Sequence, residues 1–85
     1  VNGGAIMNNL DFRVGDVCIY SFGHENAFMC KVEILEIFPN PRGVARIKIL
    51  EVYCDDSGNG FFEYLKRSGK SMNASLEYLK KSLSA

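Results

Sequence analysis

Two stretches of the chain, KVEILEIF at residues 31–38 and RIKILEVY at residues 46–53, share one pattern at an offset of fifteen. The order is basic, β-branched, charged, Ile, Leu, Glu, β-branched, aromatic. In the first copy Phe28, Cys30, Val32 and Ile34 alternate with Met29, Lys31 and Glu33, the period-two signature of a half-buried strand. At Ile34–Leu35 the phase slips, and Leu35 and Ile37 become the apolar set. In the second copy Ala45, Ile47 and Ile49 alternate with Arg46 and Lys48, and the slip falls at Ile49–Leu50. β-Branched residues dominate both runs, which favours strand over helix. The intervening PNPRG holds two prolines that cannot donate to a ladder and a glycine suited to a turn. The two runs are therefore expected to form one antiparallel hairpin. A slip of phase inside a strand marks a bulge or coil, so both strands should bend and curl a small sheet around its core.

The flanks add shorter elements. Leu10, Phe12 and Val14 alternate with Asp11 and Arg13; VGD (residues 14–16) makes a tight turn, and residues 17–22 form a β-rich run. GHEN (23–26) is a polar loop and CDDSGNG (54–60) a long turn. FFEYLKRS (61–68) and SLEYLKKS (75–82) echo each other at an offset of fourteen. Glu63 and Arg67 stand at i,i+4, and Gly69 is a good C-terminal stop, but GFFEYL also reads as strand, and residues 60–68 stay open between the two. Met72, Leu76, Leu79 and Leu83 recur at helical spacing, with Asn73 or Ser75 as cap and Glu77, Lys80 and Lys81 placed for the dipole. These predict a short C-terminal helix.

With 85 residues the chain makes one domain at most, and 47% apolar with 24% charged residues argues against disorder. Formal net charge is zero, which lowers the expectation of a dedicated nucleic-acid module. The charge is split: residues 1–56 carry five bases and eight acids, a net of −3, and residues 57–85 five bases and two acids, a net of +3. Packing of the two halves explains this, as does a basic C-terminal face that meets an acidic partner. Cys18, Cys30 and Cys54 are odd in number, lie in apolar runs and form no CxxC pair. They are expected to be buried and reduced, in a cytoplasmic setting, with a Cys30–Cys54 bridge as the alternative. No apolar run approaches membrane-spanning length. Residues 1–6 read as a cloning remnant or unstructured leader before Met7, and residues 7–85 as a single β-rich domain.

No catalytic or cofactor signature emerges, and no enzyme, cofactor or metal is expected. RSGKS (67–71) lacks the first glycine of a phosphate loop, Tyr64 standing in its place. Asp55, Ser57, Asn59 and Gly60 follow the start of a calcium loop, but Lys66 occupies the position of the bidentate glutamate. His24, the only histidine, has no argued partner for acid–base work. Ten aromatics are many for so small a core; Tyr20, Phe22, Tyr64 and Tyr78 are the candidates for a partly exposed patch that meets a protein partner or a second copy. The alternative is weak nucleic-acid binding through Arg42, Arg46, Lys48, Lys66, Arg67 and Lys70.

FRVGDVCIY (residues 12–20) resembles the opening of SH3-like small-barrel domains, and the order of two long bent strands, a further segment and a short helical turn is similar as well. The resemblance implies a mainly β (α+β) fold, a curled antiparallel sheet of SH3-like barrel type, with one or two short C-terminal helices. It also implies a bacterial or phage origin. The family includes peptide binders, nucleic-acid binders and chromatin readers, and no functional residue carries over from it.

Overall fold

The computed structural model describes residues 12–81; the expected leader at 1–6, Met7, Leu10 and Leu83 lie outside them. The repeated stretches are β2 (Phe28–Phe38) and β3 (Val44–Asp55), paired antiparallel. Glu33 stands opposite Lys48 and Ile34 opposite Ile47, whereas Leu35 and Leu50 have no partner. These unpaired residues are bulges, and they fall on the two phase slips. A third bulge, at Tyr53, has no counterpart in the sequence pattern. The bulges on β2 and β3 are separated along the hairpin by the Val32–Ile49, Glu33–Lys48 and Ile34–Ile47 pairs, so the bend is distributed along the ladder.

β1 (Val17–Phe22) pairs with β2, and β4 (Ser71–Ser75) with β3. β5 (Leu79–Lys81) returns to the far side of β1. The sheet order is β4-β3-β2-β1-β5. Among the described residues β4 and β5, at the two ends of the order, are not paired, so the expected curled sheet of barrel type is a five-stranded antiparallel sheet that does not close. The VGD turn forms as expected. The Asp16 carboxylate accepts from the Arg13 N–H at 2.9 Å, the Gly15 N–H donates to the Ile34 carbonyl at 2.8 Å, and the Ile34 N–H to the Asp16 carbonyl at 2.9 Å. The turn is thus stitched to β2 beside the Leu35 bulge. Val14, expected on the apolar side with Phe12, is exposed, while Phe12 is in the core.

One face of the sheet holds the core: Cys18, Cys30, Val32, Ile34, Ile47 and Ile49 are fully buried. Each such aliphatic side chain contributes about 1.5–3 kcal/mol. α1 (Phe61–Ser68) covers this face with Phe62 and Leu65. Its start is held by the Asn59 side-chain oxygen, which accepts from the Phe61 N–H at 2.9 Å, and its end by left-handed Gly69, which donates to the Leu65 carbonyl. Residues 60–68, left open by the sequence, are therefore helix from Phe61 onward. The expected C-terminal helix is replaced by β4, a 3-10 turn (Leu76–Tyr78) and β5. Met72, Ala74 and Leu76 alternate with Asn73, Ser75 and Glu77, and this period of two wins because β4 satisfies the backbone edge of β3.

The opposite face, uncovered among the described residues, carries charge in matched pairs. Lys31 lies opposite Glu51, Glu33 opposite Lys48 and Glu36 opposite Arg46, and the last pair closes to 3.1 Å. Exposed pairs of this kind contribute little each, but they fix which residues face each other.

The β1–β2 connection is strained. Glu25 and Asn26 both have positive φ (55° and 58°), and the Ala27 N–H donates to the His24 carbonyl at 3.1 Å. This is the geometry of a mirror-image turn, which favours Asn-Gly. A Glu25→Asn/Asn26→Gly double substitution should stabilise the domain by about 1 kcal/mol, raising Tm by about 4–8 °C in a thermal melt. An unchanged or lowered Tm refutes this account of the turn.

Candidate functional site

Six aromatic rings form one continuous cluster at the end of β1. Phe22 and Phe28, partners in the last pair of the β1–β2 ladder, stack at 4.7 Å between centroids with an 11° interplanar angle. Phe22 also meets Tyr20 at 5.0 Å, Tyr78 at 6.0 Å and Phe62 at 6.2 Å. Phe62 in turn meets Phe61 at 5.4 Å and Phe28 at 6.1 Å. Three distant segments are joined this way: a strand pair, the first turn of α1 and the 3-10 turn. Edge and stacked contacts of this kind contribute about 0.5–1.5 kcal/mol beyond burial.

The cluster begins in the core and ends in solvent. Tyr20 is 7% exposed and Phe62 5%, whereas Phe61 is 46% and Tyr78 43% exposed. Of the four aromatic candidates, Tyr20 is thus a core residue, not part of a surface patch: its neighbours on β1 and β2 alternate inward with it. Phe22 is half-buried at the centre of the cluster, and Tyr78 is at its surface. Tyr64, 49% exposed, lies one helical turn from Phe61 on the same side of α1. The sequence reading missed Phe61. In a Phe-Phe doublet on a helix one ring faces the core and the next does not, and which is which depends on a helical phase that the sequence left open.

The six basic candidates do not form one patch. Arg46 and Lys48 lie on the uncovered sheet face, opposite Glu36 and Glu33, and Arg42 in the β2–β3 turn. Lys66, Arg67 and Lys70 belong to α1 and its C-terminal turn, on the other side of the sheet. Lys66 reaches Glu63 at 3.7 Å, so this i,i+3 pair forms in place of the expected Glu63–Arg67 pair. The Lys70 ammonium lies 5.8 Å from the centre of the Tyr64 ring, a cation–π contact.

Other weighed motifs resolve into local structure. Asp55, Ser57 and Asn59 hydrogen-bond in series, Ser57 donating to Asp55 through both its N–H and its hydroxyl. His24 and Glu25 are exposed neighbours 3.8 Å apart. Among the described residues no group of three or more His, Cys, Asp or Glu is placed to hold a metal ion, and no helix is long and apolar enough to cross a membrane.

The cysteines are all free. Cys18 and Cys30 are buried as expected, but Cys54 is exposed: it pairs with Met29 on the face away from the core, while Cys30 sits inward opposite Val52. Burial, then the nearby Asp16 carboxylate, pushes the Cys18 thiol up from 9.0 to about 11; burial, then Asp55, does the same to Cys30, also to about 11. A raised folded value means that the protonated thiol is favoured by folding. This stability is complete below pH 9.0 and is lost as pH rises toward about 11. One thiol per chain should react rapidly with a disulfide reagent in the native state and all three in denaturant. Cys18→Ala/Cys30→Ala should flatten the alkaline loss of stability. Two or more fast native thiols would contradict this placement.

Comparison of the chain with protein-family models, curated proteins and solved structures gave no match.

Proposed function

We propose that this domain is a non-enzymatic binding or accessory module that acts through a protein partner or through a second copy of itself. The observation that carries the reading is the aromatic cluster, which runs from the core to solvent and ends in two rings, Phe61 and Tyr78, each more than two-fifths exposed. An aromatic held rigidly by buried neighbours loses little conformational entropy on docking, which is why such rings dominate interface energetics.

The strand order, with β5 returning to β1 after a 3-10 turn, supports an SH3-like barrel opened at the β4–β5 seam. A fold of that kind hosts many functions and adds none by itself. The three free thiols support a reducing, cytoplasmic setting. Nucleic-acid binding through the six bases is the second reading. It is weaker, because Arg46 and Lys48 face carboxylates across the ladder.

The test is photo-crosslinking from benzoylphenylalanine placed at Phe61, with the same group at Val14 as control. Val14 is the more exposed of the two but stands outside the aromatic cluster. One dominant crosslinked protein, or a crosslinked dimer of the chain, is expected from position 61 and not from 14. Equal labelling from both positions, or none from 61, overturns the reading.

A further inference from the structure

We propose that the partner segment is an acidic polypeptide with an aromatic or aliphatic anchor, and that it docks along the ridge Phe61–Tyr64–Arg67 of α1, extended by Lys70. The inference rests on the protein-partner reading above and adds the partner's chemistry.

The helix sorts its exposed residues by charge. Phe62 and Leu65 face the core. Phe61, Tyr64 and Arg67 recur at i, i+3 and i+6, a single ridge along one flank. Glu63 and Lys66 occupy the other flank and neutralise each other at 3.7 Å. The only acid of α1, although it stands one turn before Arg67, is taken by Lys66 on the other flank. Beyond the helix, left-handed Gly69 turns the chain back, and the Lys70 N–H donates to the Ser68 hydroxyl at 3.3 Å. This turn brings the Lys70 ammonium over the Tyr64 ring. The ridge thus presents two rings and two cations, and neither Arg67 nor Lys70 has a carboxylate partner among the described residues.

Charge elsewhere is arranged differently. On the uncovered sheet face every base of the β2–β3 ladder stands opposite an acid, and Lys81 meets Asp16 at 3.6 Å. Part of the +3 balance of the C-terminal third is therefore uncompensated on the aromatic ridge itself. An acidic segment satisfies Arg67 and Lys70, and its apolar anchor covers Phe61 and Tyr64. Among the described residues the ladder acids are matched, Asp16 meets Lys81 and Asp55 accepts from Ser57; the exposed acids left, Glu25, Asp56 and Glu77, are scattered along the sequence and form no acidic run, which favours a different protein over a second copy.

The test uses random copolymers of glutamate and tyrosine, of lysine and tyrosine, polyglutamate and a thymidine oligonucleotide as probes, with fluorescence anisotropy as the readout. The glutamate–tyrosine copolymer should bind at least about tenfold tighter than the lysine–tyrosine copolymer or polyglutamate, and should weaken as salt rises. Phe61→Ser and Arg67→Gln/Lys70→Gln should each lose about tenfold while the domain stays folded at the assay temperature, with a Tm decrease of a few degrees for Phe61→Ser, whose ring packs on Phe62, and a smaller one for the charge variant. Phe61-dependent binding that is equal for the two copolymers overturns the acidic assignment and leaves aromatic docking standing. Tighter binding of the oligonucleotide assigns the ridge to nucleic acid. Binding of no copolymer, or binding indifferent to Phe61, overturns the docking ridge altogether.

Discussion

Replacing Phe62 with alanine should bring the domain to the edge of unfolding at room temperature. Phe62 is 5% exposed, belongs to the same core as Ile47 and Ile49, and contacts four other rings. Deleting a buried phenylalanine costs about 3–5 kcal/mol. A domain of this size holds on the order of 5 kcal/mol in total. α1 is only eight residues long, too short to persist without its packed face, so the loss would detach the helix and the ridge it carries. A urea titration followed by near-ultraviolet circular dichroism should show most of the stability gone. Tyr78→Ala, at the exposed end of the same cluster, should cost less than about 1 kcal/mol. If the two variants melt together, the cluster is not organised around Phe62.

Gly23→Val is expected to be nearly as damaging, through a different cause. Gly23 has φ 86° and ψ 169°, a region that only glycine occupies without a penalty of about 1–3 kcal/mol. A Cβ there would stand 3.1 Å from the Phe28 ring and 3.3 Å from the Ala27 Cβ. Val adds two methyl groups beyond that atom, and overpacking costs about a further 1–3 kcal/mol. The Phe28 ring is stacked on Phe22, so the displaced ring would disturb the cluster as well as the turn. Gly43→Val makes the matched control: φ is 82°, but a Cβ meets nothing within 4 Å. Its loss should be limited to the backbone penalty. Equal Tm decreases for the two variants would show that the ring contact contributes nothing.

Much of the fold was legible because one signal had one solution. In β2 and β3, period-two alternation with the Ile-Leu slips calls for strands that carry a bulge or a coil, and bulges sit where the slips are. The C-terminal segment was misread because Met72, Leu76 and Leu79 satisfy a helical spacing while Met72, Ala74 and Leu76 satisfy a strand spacing. A neighbour decides between them: the free edge of β3 recruits residues 71–75. The candidate site was legible as a surplus of aromatics, not as a place. Tyr20 and Phe61 differ in exposure because of strand register and helix phase, neither of which a list of aromatic positions contains. The basic candidates were identified by residue type alone, and pairing across the ladder is what divides them.

Leu35 and Leu50 have a consequence for how the chain can change in length. Each is an extra residue between an inward neighbour and an outward glutamate: Ile34 and Glu36, Ile49 and Glu51. Remove either one and the in–out alternation runs on without inversion to Ile37 or Val52, which pack against the core. Removing Lys48 instead would turn the flanking side chains inside out. A one-residue deletion is therefore compatible with the side-chain pattern at these two points, where it would straighten the strand. The curvature of this sheet is encoded by how many residues lie between the partners, and its core by which residues they are.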